Sequence, residues 1–135
     1  MLSSPTKVFL YVDRWSILVV SLRSQLVKFV HCMVLIPSYF HSLKDFLEII
    51  CNISYLQVLV LEECTMLHSL PRSICNLFFL QVLNLKWCLK LKSFPSGIRV
   101  FKKLNHLDLT SCDILIMIPH DIFELASLNK LVLPQ

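Results

Sequence analysis

LQVLVLEECTMLHSLPRSICNLFF (56–79), LQVLNLKWCLKLKSFPSGIRVFKK (80–103) and LNHLDLTSCDILIMIPHDIFELAS (104–127) are one pattern written three times, and LNKLVL (128–133) begins it again. Leu56, Leu80, Leu104 and Leu128 stand 24 residues apart, and so do Leu59, Leu83, Leu107 and Leu131. Leu61, Leu85, Leu109 and Leu133 keep the same step, as do Cys64, Cys88 and Cys112, then Pro71, Pro95 and Pro119, then Ile74, Ile98 and Ile122. A fixed period of this length, built on LxxLxL, predicts an α/β repeat: a curved leucine-rich-repeat solenoid with a 24-residue unit. Parallel strands are expected on its concave face and irregular or 3₁₀ segments on its convex face.

Each part of the unit has a physical role. LxxLxL carries the alternation of a short strand, with leucines inward and the residues between them outward. A buried cysteine next to the turn can donate its S–H to backbone groups that would otherwise be orphaned. The proline fixes φ and lacks an N–H, so it ends strand pairing and starts the convex segment. Ile74, Ile98 and Ile122, followed by Leu77, Phe101 and Leu125, return that segment to the core.

Upstream the same frame continues with errors. Residues 32–55 keep Leu35, Leu43, Phe46, Ile50 and Ile53 in step, although Pro37 falls in the strand. Residues 8–31 keep Val19, Leu22, Leu26 and Phe29, with Asp13 where a strand leucine belongs. The expected organisation is one continuous repeat region: a tail over 1–7, degenerate repeats over 8–55 and regular repeats over 56–135. Neither end carries the polar outer face of a capping unit. That suggests a piece of a longer array or a truncated product.

Composition narrows the function classes. Apolar residues make up 56% of the 135-residue chain and the net charge is +4. No apolar run approaches the ~18 residues of a membrane span, and Lys7, Asp13, Arg14 and Arg23 break any secretory apolar stretch. Lys86, Lys90 and Lys92 are spaced by the repeat and form no tract, so no nucleic-acid partner is expected. Cys64, Cys88 and Cys112 share one repeat position, and three residues in a ladder cannot all pair. Buried thiols are expected, together with Cys32, Cys51 and Cys75, which suits a reducing, cytoplasmic setting. The sequon Asn52-Ile53-Ser54 would matter only in a secreted chain. Cys64 with His68, and Cys112 with His120, have neither metal-ligand spacing nor a CxxC. No catalytic residue, metal, cofactor, membrane or small-molecule substrate is expected.

The candidate site is therefore a protein-binding surface made of the columns between the inward leucines. These are Val58, Val82, His106 and Lys130; Val60, Asn84, Asp108 and Val132; Glu62, Lys86 and Thr110; and Glu63, Trp87 and Ser111. Trp87 is the one aromatic among them and suits an interface anchor; the competing reading packs it over its own turn. Phe78 and Phe79 stand where other units carry Lys102-Lys103 and Ala126-Ser127, either as a convex patch or packed on the preceding unit.

The units over 56–133 resemble the leucine-rich repeats of plant nucleotide-binding leucine-rich-repeat disease-resistance proteins, which read LxxLxLxxCxxLxxLPxxIxxLxx. The likeness is weak over 8–55. Plant cell-surface receptor repeats place a glycine before Ile-Pro, which Pro71, Pro95 and Pro119 lack. Ras-group-related repeats use asparagine and a 23-residue unit, and F-box-type repeats share the cysteine without the recurring proline. The resemblance implies recognition of pathogen effectors or host partners, or regulation of a receptor, in plant intracellular defence. The family's phosphate loop, GxxxxGK[ST], is not in this sequence, so the resemblance does not extend to a nucleotide switch. Alternatives are a receptor fragment without independent activity and a substrate-recruiting adaptor of the ubiquitin system.

Overall fold

The computed structural model describes residues 7–11, 31–35, 47–48 and 50–135. Among the described residues, six strands form one parallel sheet in chain order: β1 (Lys7–Tyr11), β2 (His31–Leu35), β3 (Leu56–Val60), β4 (Val82–Asn84), β5 (His106–Asp108) and β6 (Lys130–Val132). Three 3₁₀ segments connect the later strands: η1 (Arg72–Asn76), η2 (Ile98–Val100) and η3 (His120–Glu124). Among the described residues, no helix is long and apolar enough to cross a membrane.

From β3 onward each strand pairs with the residue 24 positions later: Val58 with Val82, Val82 with His106, and His106 with Lys130. The leucine pattern explains this register. Leu56, Leu59 and Leu61 are fully buried, as are Leu80, Leu83 and Leu85, and Leu104, Leu107 and Leu109. A slip of one residue would turn an inward leucine to the opposite face, at a cost of about 1.5–3 kcal/mol for each side chain exposed.

After each strand the core residues recur every third position, with one step of four from Leu70 to Ile74 and from Phe94 to Ile98, and the backbone follows on either side of it. Cys64 N–H donates to Leu61 O, Leu67 N–H to Cys64 O, Ile74 N–H to Pro71 O, Leu77 N–H to Ile74 O and Leu80 N–H to Leu77 O. A step of three with i→i−3 bonds is 3₁₀ geometry, in which residues three apart share one face. The 3₁₀ segments proper cover 72–76, 98–100 and 120–124, where Ile74, Ile98 and Ile122 are followed three residues later by Leu77, Phe101 and Leu125. Pro71 and Pro119 precede η1 and η3 in extended or near-extended backbone. Gly97 precedes η2 at φ +100°, a left-handed conformation that favours glycine.

Upstream, two findings modify the sequence expectation. Lys7, assigned above to a tail, is the first residue of β1 and pairs with His31. The spacing of 24 holds between β1 and β2, from Lys7–His31 to Tyr11–Leu35, but it slips between β2 and β3. Cys32 faces Leu56, whereas Met33 faces Val58 and Leu35 faces Val60. This irregularity takes up one residue, as a bulge does, so Leu35 does not stand opposite Leu59 as an unbroken frame requires. Asp13, Val19, Leu22, Leu26, Phe29, Pro37, Leu43 and Phe46 lie outside the described residues. Leu47, Ile50, Cys51 and Ile53 are buried against the same core as the later leucines.

Candidate functional site

The expected columns divide into two groups. Val58, Val82, His106 and Lys130 lie side by side across β3–β6, and so do Val60, Asn84, Asp108 and Val132. All are half-buried except Lys130, which is exposed. They form the face of the sheet opposite the leucine core, apolar at β3 (Val58, Val60), mixed at β4 (Val82, Asn84), polar at β5 (His106, Asp108) and mixed at β6 (Lys130, Val132).

Glu62, Lys86, Thr110, Glu63, Trp87 and Ser111 do not belong to the strands, which end at Val60, Asn84 and Asp108. They form the turns that follow. Glu63, Trp87 and Ser111 adopt φ values of 60°, 61° and 55°, left-handed at three equivalent positions without a glycine. That conformation costs about 1–2 kcal/mol for an L residue, and at two of the three positions the residue's N–H bonds the next unit. Glu63 N–H donates to Lys86 O at 2.9 Å and Trp87 N–H to Thr110 O at 2.8 Å. Of the two readings of Trp87, outward anchor or packed over its turn, the structure gives the position alone: it sits on a turn beyond the strand, exposed, with Lys86 Nζ 4.2 Å from its ring centroid.

Side chains at the strand ends close these turns. Asn84 Oδ1 accepts from the Lys86 N–H at 3.0 Å, and its amide donates to Glu62 Oε2 at 3.2 Å. Asp108 Oδ1 accepts from the Thr110 N–H at 2.9 Å and the Thr110 hydroxyl at 2.6 Å. These are Asx turns, a local bond that Asn and Asp make readily. Partial burial raises the Asp108 pKa, but the two Thr110 bonds and the nearby His106 and Lys86 outweigh it, leaving the carboxyl below its usual range. Lys86 also stands 4.0 Å from Glu62 Oε1. His106 Nε2 is shielded from solvent and has no hydrogen-bond partner among the described residues.

A column missed by counting strict alternation runs beside them: Gln57, Gln81, Asn105 and Asn129, an amide in every unit. LxxL leaves two residues between its inward leucines, so both remain at the surface. Their backbone carries the ladder, with Gln81 N–H donating to Gln57 O and Asn105 N–H to Gln81 O, each at 2.8 Å.

The cysteine column is structural. Cys88 Sγ donates to Leu61 O at 3.2 Å and Cys112 Sγ to Leu85 O at 3.1 Å. Burial pushes the Cys64 thiol up to about 12 and the Cys112 thiol to about 11, which suits inert core groups and not nucleophiles. Cys51, Cys64, Cys75, Cys88 and Cys112 are all free thiols. Among the described residues, no group of three His, Cys, Asp or Glu is placed to hold a metal.

No protein-family model matches this chain, and no curated protein is similar to it.

Outside the sheet face, Phe79 packs on Tyr55 of the preceding unit with ring centroids 5.2 Å apart, and Lys103 Nζ lies 4.4 Å from the Phe79 ring. The packing reading therefore fits Phe79, whereas Phe78 is exposed.

Proposed function

We propose that this chain is a leucine-rich-repeat solenoid of 24-residue period whose concave sheet face recognises a protein partner. The observation that carries the reading is the alignment of two outward columns across β3–β6, Val58 to Lys130 and Val60 to Val132. An array of side chains at fixed spacing on a parallel sheet suits the recognition of an extended surface better than chemistry on a small substrate. The face carries valines at 58, 60, 82 and 132 beside Asn84, His106, Asp108 and Lys130, which suits a partner with both apolar and polar groups. Asn84 and Asp108 also close turns, so their contribution is shape as well as contact. The resemblance of residues 56–133 to plant disease-resistance repeats supports a partner in intracellular defence, an effector or a regulated host protein.

The first test is circular dichroism with a thermal melt, and size-exclusion chromatography, on the reduced 135-residue chain. A cooperative melt from a monodisperse species is expected. The second compares proteins retained from plant extract by the natural chain and by a His106→Glu, Lys130→Glu variant of unchanged melt. Loss of a retained protein supports the reading; identical retention by both would count against the sheet face.

A further inference from the structure

The chain enters β3 to β6 through four equivalent stretches, SYLQV (54–58), FFLQV (78–82), KKLNH (102–106) and ASLNK (126–130). Leu56, Leu80 and Leu104 are the inward members, and the residues on either side of them are half-buried or exposed. The row in front of the leucines is joined by side-chain contacts between units. The Tyr55 and Phe79 ring centroids lie 5.2 Å apart, and Lys103 Nζ stands 4.4 Å from the Phe79 centroid. The Ser127 hydroxyl donates to Lys102 O at 2.5 Å, so the last unit continues the same edge. Tyr55 is 42% exposed and Phe78, beside Phe79 in the chain, is 53% exposed. This strand-entry edge thus carries an aromatic pair that ends on a lysine, in observed contact throughout.

Charge separates this edge from the other end of the strands. None of the four stretches contains an acid, whereas Lys102, Lys103 and Lys130 are exposed and have no ion pair among the described residues. The acids that border the edge are already engaged. Glu124 holds Arg99 at 3.1 Å and His120 at 3.5 Å, and Asp108 accepts from the Thr110 N–H and hydroxyl. Beyond the strands, by contrast, Glu62, Glu63 and Asp113 stand among Lys86, Lys90 and Lys92, and the charges offset.

An edge of unpaired lysines beside exposed aromatic rings is complementary to an acidic partner with an apolar side chain. Between an acidic peptide and a single-stranded nucleic acid, the geometry favours the peptide. A base stacks on an open ring face, but Phe79 is flanked by Tyr55 in one neighbouring unit and by Lys103 in the other. Behind the leucines, Gln81, Asn105 and Asn129 form a row of amides. An amide side chain both donates and accepts, which matches the peptide group.

We propose that the strand-entry edge binds an acidic peptide segment bearing an aromatic side chain. Its carboxylates meet Lys102 and Lys103, and its ring lies against the Tyr55–Phe79 pair. This site is separate from any partner on the sheet face and stands whether or not that face binds.

The test is fluorescence anisotropy of a labelled glutamate-rich peptide with two central phenylalanines, titrated with the full reduced chain. Saturable binding is expected, and it should weaken as salt rises. A Lys102→Glu, Lys103→Glu variant should bind about tenfold more weakly, and a Tyr55→Ser variant should also lose affinity. A Lys90→Glu, Lys92→Glu variant, which makes the same charge change beyond the strands, should bind as the natural chain does. Each variant is checked for an unchanged circular dichroism spectrum; the lysine pair and Tyr55 probe the edge independently, so either decides if the other variant fails to fold. Absence of saturable peptide binding overturns the proposal. Equal weakening by both lysine pairs overturns it too, because the attraction would then be general charge. Equal binding of a peptide with alanines in place of the phenylalanines would remove the role of the aromatic pair and with it the proposal. Tighter binding of oligodeoxythymidine than of the peptide would give the edge to single-stranded nucleic acid instead.

Discussion

The Sγ of Cys112 lies 3.1 Å from the carbonyl oxygen of Leu85, and Cys88 holds the same relation to Leu61 at 3.2 Å. Each thiol reaches the unit before its own and satisfies a buried carbonyl that also accepts a local backbone bond, from Cys64 to Leu61 and from Cys88 to Leu85. The recurring cysteine is thus a staple between units that needs no disulfide.

That role sets an order of stability between two substitutions. Cys88→Ser keeps a donor in the buried site, whereas Cys88→Ala removes it. Denaturant melts under reducing conditions should place the serine variant above the alanine variant by about 1 kcal/mol. The reverse order would mean that the site rewards only apolar volume and that the hydrogen bond contributes nothing.

The left-handed turn offers a gain. Ser111 holds φ at 55° without the freedom of glycine. Ser111→Gly relieves about 1–2 kcal/mol of backbone strain and gives back about 0.4–1 kcal/mol through the looser unfolded chain. A net stabilisation of about 0.5–1 kcal/mol should appear as a raised Tm. A lowered Tm would show that the serine side chain contributes more than its strain costs.

Gly97 shows the opposite case. At φ +100° any L side chain is strained, although an added Cβ would meet the Cys75 Sγ only at an ordinary 3.5 Å. Gly97→Ala should therefore cost about 1–2 kcal/mol, from backbone strain and not from a clash. A shift in denaturation midpoint at constant slope would report it, and an unchanged midpoint would contradict the assigned backbone.

Burial of the thiols gives the fold an alkaline weakness. The ordinary cysteine pKa is 9.0, and the folded values are raised to about 11 for Cys51 and Cys112 and about 12 for Cys64. A raised folded pKa means that the unfolded chain loses its protons first. The stabilisation is fully present below pH 9 and declines as pH climbs toward the folded values. Asp108 acts in the opposite direction: its lowered pKa contributes stability above the ordinary value of 3.8 that is lost as pH falls below it. That term is small because the group is well solvated. Denaturation midpoints across pH should fall on both sides, and Cys64→Ala should flatten the alkaline limb. A limb unchanged in that variant would show that other groups set it.

Thiol labelling separates the cysteines by access. Cys75 is half-buried on the η1 segment, whereas Cys51, Cys64, Cys88 and Cys112 are buried. A maleimide under native conditions should modify Cys75 well before those four. Early labelling of Cys88 would argue against a closed core.

The inward leucines and the step of 24 were legible in the sequence, whereas the connecting segments were expected only as irregular or 3₁₀. A repeated apolar spacing admits few backbones that bury every copy. The strand columns Val58 to Lys130 and Val60 to Val132 followed from the same count. The columns through Glu62 and Glu63 did not, because alternation alone cannot tell where a strand gives way to a turn. Nothing in Trp87 or Ser111 as residue types announces a positive φ; at Trp87 it occurs together with the N–H bond to Thr110 O of the next unit. The reach of Cys112 to Leu85, the one-residue slip between β2 and β3, and the unpartnered His106 Nε2 likewise arise between units. The period determined which residues face inward, since burial acts on each unit separately. Only the stacked structure decided what each turn leans on, because those bonds join residues more than twenty positions apart.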